Sequence, residues 1–248
     1  MKGLFRILCA AMLVTAALAS TPEIPLSDTR LTVHTLVRED IFAGILAEDM
    51  DRLARGEKNL DILYEQRPTQ RHHTLAWKAS ATMLRAVRAH EAKKNDEFKK
   101  YYQQAMDLFA EARKLNSADG GVASVTGGTF VLLADRLPKE LQAGAWEMAY
   151  GNYKGLWSVQ GASVDKLPVH MRGELLAGIA QSAQRTGRKE ESAEYIEKIL
   201  TYMRGTPYEA PAAKWKANPE TMAATSIACK NCHESGRLAA RLASLEKK

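Results

Sequence analysis

The sequence predicts an all-α protein made of antiparallel helical hairpins, and three observations carry that prediction. Apolar residues recur at steps of three and four along most of the chain, the spacing of one face of an α-helix. Strict apolar–polar alternation, the mark of a half-buried strand, is scarce. The breaks between periodic stretches are short, so successive helices must fold back on one another. A length of 248 residues with 46% hydrophobic and 26% charged content suffices for a buried core and argues against disorder.

Residues 1–19 stand outside this pattern. Lys2 and Arg6 precede an almost unbroken apolar run from Ile7 to Leu18, and Ala17-Leu18-Ala19 supplies the small residues of a cleavage site. The expectation is a secretory signal cleaved after Ala19. The run is shorter than the roughly 20 residues a membrane helix needs. Cleavage would remove Cys9 and leave two of the three cysteines. It would also lower Lys+Arg from 35 to 33 against 29 Asp+Glu, and the net charge from +6 to +4. Mild, interspersed basicity gives no support to nucleic-acid binding, and nothing after residue 20 is apolar for long enough to span a bilayer.

The helical stripes follow in order. A first pair is expected at about 36–54 and 57–66, with Gly56 between the helices and Pro68 ending the second. Trp77, Ala81, Leu84 and Val87 mark a helix over about 74–93. The clearest stripe runs from Phe98 through Tyr102, Ala105, Phe109 and Ala112 to Leu115, with Asn95 as N-cap and Asp96 at the positive end of the dipole. A helix at about 121–136 pairs with one at 139–159 that carries Trp146, Tyr150, Tyr153 and Trp157. Met171, Leu175, Ile179 and Ala183 line the next helix. Gly187-Arg188 breaks it, and Ser192, Ile196, Ile199 and Met203 line its partner.

Ala105, Phe109 and Ala112 have the small-aromatic-small spacing of the second helix of a tetratricopeptide repeat, and Ser192, Ile196 and Ile199 repeat it in other residue types. On those residues, positions 36–204 resemble degenerate tetratricopeptide (TPR)-like repeats, although the Trp-Leu-Gly pattern of the first helix is absent. The resemblance implies an α-solenoid with a concave surface for a partner. The expected organisation is therefore a signal over 1–19, a TPR-like helical domain over 20–204, and a distinct C-terminal segment over 205–248.

The repeat region shows no catalytic signature. Gly120-Gly121 and Gly127-Gly128 lack the strand and lysine of a phosphate loop, and they read as a turn and a close helix contact. His72-His73 reads as a solvated loop pair. After residue 204, Thr206-Pro207-Tyr208-Glu209 resembles a capping box opening a short helix that carries Trp215 and ends near Asn218-Pro219. A final helix at about 236–247 has Leu238, Leu242 and Leu245 on one side.

Between these helices lies Cys229-Lys230-Asn231-Cys232-His233, a C-x-x-C-H sequence of the kind that attaches haem c. Both cysteines expected in the mature chain belong to it. A zinc site would want a second ligand pair, and a thioredoxin-type dithiol a β–α–β setting. A two-residue disulfide loop would add little stability. The tail thus resembles the haem-binding segment of c-type cytochromes, and the whole resembles a secreted bacterial mono-haem cytochrome with a helical body.

That resemblance implies one covalent haem on Cys229 and Cys232, with His233 as proximal iron ligand. The ordinary cytochrome c domain is absent, because only fifteen residues follow His233 and none is Met or His. Met222, eleven residues upstream, is the nearest candidate for the distal ligand, with Met203, His170 and Met171 further off. The implied role is periplasmic electron transfer to a redox partner protein docked on the helical surface. A haem-based ligand sensor, a peroxidase-like enzyme, and a haem-free interaction scaffold are the other readings. No acid–base pair names a substrate, which favours a carrier or binding protein over an enzyme.

Overall fold

A computed structural model describes residues 24–223, 226–228 and 236–246. Among these residues there are ten α-helices, four short 3-10 turns and no strand. The helices are α1 (Val33–Ala47), α2 (Met50–Gln66), α3 (Arg71–Glu91), α4 (Asn95–Leu115), α5 (Gly120–Leu133), α6 (Lys139–Gln160), α7 (Val169–Arg185), α8 (Lys189–Tyr202), α9 (Glu209–Ala217) and α10 (Arg237–Glu246). The all-α expectation holds.

Local chemistry explains most boundaries. Thr32, Asp49 and Asp119 cap α1, α2 and α5, each accepting a hydrogen bond from a backbone N–H two or three residues into its helix. Gly187, at φ +80°, supplies the left-handed residue that lets α7 turn sharply into α8. The first break falls earlier than expected. Glu48 adopts φ 55° and ends α1, whereas Gly56 lies inside α2. Its missing side chain lets α2 press against α1, since a β-carbon there would stand 2.8 Å from Ile41 Cδ1. The glycine marks a close approach, and the chain turns at Glu48-Asp49.

Sequential helices pair as hairpins: α1 with α2, α3 with α4, α5 with α6, and α7 with α8. The first helices of the hairpins also stack in succession, α1 on α3, α3 on α5, and α5 on α7. These inner helices are the most buried, and α3 alone buries thirteen of its residues. Thr129 of α5 donates 2.8 Å to Ser80 of α3, so even the polar groups between them are paired. The outer helices keep one apolar stripe inward; in α4 it is Ala105, Phe109 and Ala112.

The described tail joins this core. Tyr208, Trp215, Met222, Ile227 and Ala228 are all buried in the hydrophobic cluster shared with the hairpins. The Thr206–Glu209 segment is an N-terminal device of another form than a simple capping box. Glu209 accepts from the backbone N–H of Gly205 at 2.6 Å, and Thr206 Oγ1 accepts from Tyr208 N–H at 3.3 Å. Helix α9 then packs on α8, and the 3-10 turn Pro219–Ala223 rests on α7 and α9.

At the other end, the buried guanidinium of Arg67 clamps residues 26–31. It donates to the carbonyls of Leu26 (2.6 Å), Asp28 (2.9 Å) and Leu31. Replacing Arg67 by methionine keeps the aliphatic stem but leaves three carbonyls without their donor. The expected loss is about 1–3 kcal/mol, measured by urea unfolding, with hydrogen exchange accelerated at the Leu31 amide. Unchanged exchange at Leu31 would refute the clamp.

Candidate functional site

The inner helices leave a cavity of ≈ 340 Å³ between α1, α3, α5, α6 and α7. Its apolar walls come from Phe42, Trp77, Val125, Tyr153, Leu156 and Leu175. Polar side chains line it as well, among them His34, Arg38, Ser124, Gln160, His170 and Glu174. Glu174 accepts from Ser124 Oγ at 2.9 Å and from the Tyr153 hydroxyl at 3.4 Å, so its carboxylate is held against the wall. An apolar cleft with a few convergent polar groups is the usual form of a ligand site.

The C-terminal helix is tied to α1, the helix that gives Arg38 and Phe42 to the cavity lining. Glu39 of α1 accepts from the backbone N–H groups of Gly236 (3.3 Å) and Leu238 (2.6 Å). Helix α10 is therefore capped by a carboxylate from α1, which meets both the unpaired N–H groups and the positive end of the dipole. Neighbouring Arg38 lines the cavity. His170, at the start of α7, has its pKa lowered first by burial and then by the positive charges of Arg237 and Arg38.

Cys229, Cys232 and His233 lie outside the described residues, as do residues 1–23 with the expected signal. Their flanks are described: Ile227 and Ala228 are buried, and Gly236 is tied to Glu39. Met222 is fully buried, and its backbone carbonyl accepts from Gln181 Nε2 at 2.9 Å. Met203 is fully buried in the core as well. Met171 departs from its expected core stripe: it is 39% exposed and lines the cavity.

One cluster was not foreseeable from residue types alone. His72 and His73 lie in the first turn of α3, a helix that starts three residues earlier than the sequence suggests. Both imidazoles turn toward Asp119, the N-cap of α5. His73 Nε2 is 2.8 Å from Asp119 Oδ1, and His72 Nε2 is 3.4 Å from Oδ2. Burial raises the Asp119 pKa, but the His73 hydrogen bond, the Val122 amide and the histidine charges overcome it and hold the carboxyl well below its usual range. The three histidine rings form a tilted cluster, with His73 4.1 Å from His72 and 4.4 Å from His34.

His34 is pinned by the Trp77 indole, which donates to its Nδ1 at 2.8 Å. Burial first, then the neighbouring His73, pushes its pKa down to about 3. His34 is therefore neutral at ordinary pH, with its proton on Nε2, which packs closely against Gly121. The only hint of this cluster in the sequence is the paired His72-His73, and its partner sits 46 residues away.

No protein family, curated protein or solved structure matches this chain.

Proposed function

We propose that this chain is an exported, mono-haem c-type cytochrome-like protein that carries electrons, working in the periplasm or outside the cell. Its haem would be bound covalently through Cys229 and Cys232, with His233 as proximal iron ligand. The observation that carries this reading is the C-x-x-C-H sequence lying between two anchored flanks, Ala228 in the core and Gly236 on Glu39. Glu39, which holds Gly236, follows Arg38 of the cavity lining in α1.

We read Phe42, Trp77 and Leu175 of the cavity as an apolar wall against which part of a haem would rest, with Arg38 on the lining and Arg237 at the start of α10 as positive charges for its carboxylates. The bound group would supply one-electron chemistry. The protein's part is to exclude water, set the local charge and present an edge to a partner. The stacked hairpins are read as a degenerate TPR-like solenoid whose surface docks a redox partner through a weak, transient interface. No helix among the described residues is long and apolar enough to cross a membrane.

The second axial position has two candidates. Met222 is nearest in sequence and buried, and His170 lines the cavity within electrostatic reach of Arg237. The test is expression with a haem-attachment system, followed by a denaturing haem stain and optical spectroscopy. The expected result is one covalent haem per chain, lost in the Cys229→Ser/Cys232→Ser double variant. A low-spin spectrum should lose its methionine-to-iron band in Met222→Ala, or turn high-spin in His170→Ala, according to which side chain holds the iron. Absence of covalent haem would overturn the reading, and a high-spin, five-coordinate wild type would overturn electron transfer.

A further inference from the structure

The geometry points to a second, separate site: His72, His73 and Asp119 form a binding site for one divalent transition-metal ion, with His34 as a hydrogen-bond donor beside it. One ligand atom from each of the three lies within 4.8 Å of the others. Asp119 faces His73 through Oδ1 at 2.8 Å and His72 through Oδ2 at 3.4 Å, close to the roughly 3.3 Å between donors around a tetrahedral ion with bonds of about 2.0–2.1 Å. An ion would take the place of the protons between imidazole and carboxylate, with the ligand atoms drawing together around it. Two neutral nitrogens and one carboxylate are a donor set for zinc or iron(II), and a poor one for calcium or magnesium.

The ligands are held by regular elements. His72 and His73 come from the first turn of α3, and Asp119 is fixed as the cap of α5 by the Val122 amide at 2.8 Å. Asp119 Oδ1 and His34 Nε2 both pack against Gly121, lying 3.0 and 2.5 Å from where its β-carbon would stand, so a larger residue there would push the cluster apart. His34 cannot be a further ligand while Trp77 donates to its Nδ1, because the ring's proton is then on Nε2. That N–H would instead donate to a water on the ion, the role outer-shell groups play at metal sites. His34 and Gly121 also line the cavity, and three protein ligands leave the fourth position of a tetrahedral ion to water or a small ligand.

Two effects oppose binding. The N-terminus of α5 carries partial positive charge, which weakens a cation by about two- to fivefold. The ligands are only partly buried, so water competes for the ion. Both are small against the affinity two imidazoles and a carboxylate confer on a first-row ion.

The test titrates the full mature chain, stripped with a chelator, with Zn²⁺ by calorimetry in the Cys229→Ser/Cys232→Ser background. That background removes both the thiols and any haem, so the result stands apart from the cytochrome reading. The expected outcome is one Zn²⁺ per chain at micromolar affinity or tighter. Asp119→Asn keeps a good helix cap and His73→Gln keeps a polar side chain; each should weaken binding by more than tenfold. His34→Gln should weaken it by about 10- to 100-fold, with far-ultraviolet circular dichroism unchanged. No binding, or binding that Asp119→Asn and His73→Gln leave intact, would overturn the site.

Discussion

Replacing Tyr153 by alanine is expected to destabilise the protein by about 3–5 kcal/mol, the range for removing a large buried aromatic ring. The ring is fully buried in α6 and reaches two other helices through their glycines. A β-carbon on Gly178 of α7 would come 2.4 Å from Tyr153 Cε2 and Cζ, and one on Gly127 of α5 would come 2.9 Å from Cε2. The tyrosine thus lies on bare backbone on two sides. The void it leaves can close only if whole helices shift, which puts the cost at the high end. The converse change is also informative. Gly178→Ala drives a methyl group into the ring and should cost about 1–3 kcal/mol as overpacking. In a Tyr153→Ala background that cost should vanish or reverse, because the methyl then fills the void. Urea unfolding of the two single variants and the double variant measures this coupling. Additive effects would show that the ring is not seated on Gly178.

The degree to which the sequence discloses these features follows from the range of the interactions involved. The α4 stripe is a local pattern, and the helix runs from Asn95 to Leu115, within a residue of expectation. Asn95 itself is not the cap, however; Lys94 is, and it makes no side-chain hydrogen bond. Helix α5 is harder to read because it is apolar all round, being covered by α3, α6 and α7, so it has no polar face to set a phase. Gly56 and Gly178 look like breaks or neutral positions until the facing side chain is known. The His72-His73 pair falls in the same class: its meaning depends on Asp119, which a different hairpin delivers. The C-x-x-C-H motif is the opposite case: its spacing is legible in the sequence alone, whereas its residues lie outside the described ones.

Trp215→Ala is expected to cost a further class of stability, again about 3–5 kcal/mol, and to do so in one cooperative transition with the hairpin body. The sequence treats residues 205–248 as a handle distinct from the repeats. If the described part of that handle were only tethered, losing its tryptophan would barely touch the melting of α1–α8. Its packing argues otherwise. Trp215 is 1% exposed on α9, which lies on α8. Tyr208 covers Gly173 of α7 so closely that a β-carbon there would stand 2.3 Å from its Cζ. Gln181, itself buried in α7, donates to the Met222 carbonyl. Three successive anchors therefore run from Tyr208 to Met222, ahead of the C-x-x-C-H sequence, and Glu39 takes hold again at Gly236. Calorimetry should show a single transition in the wild type and a single, lowered one in Trp215→Ala. A separate low-temperature transition, with the body's melting unchanged, would instead establish an independent tail. Under the proposed cytochrome reading the distinction would matter, since a haem borne by a tail packed into the core would have a defined edge and a defined distance to a docked partner.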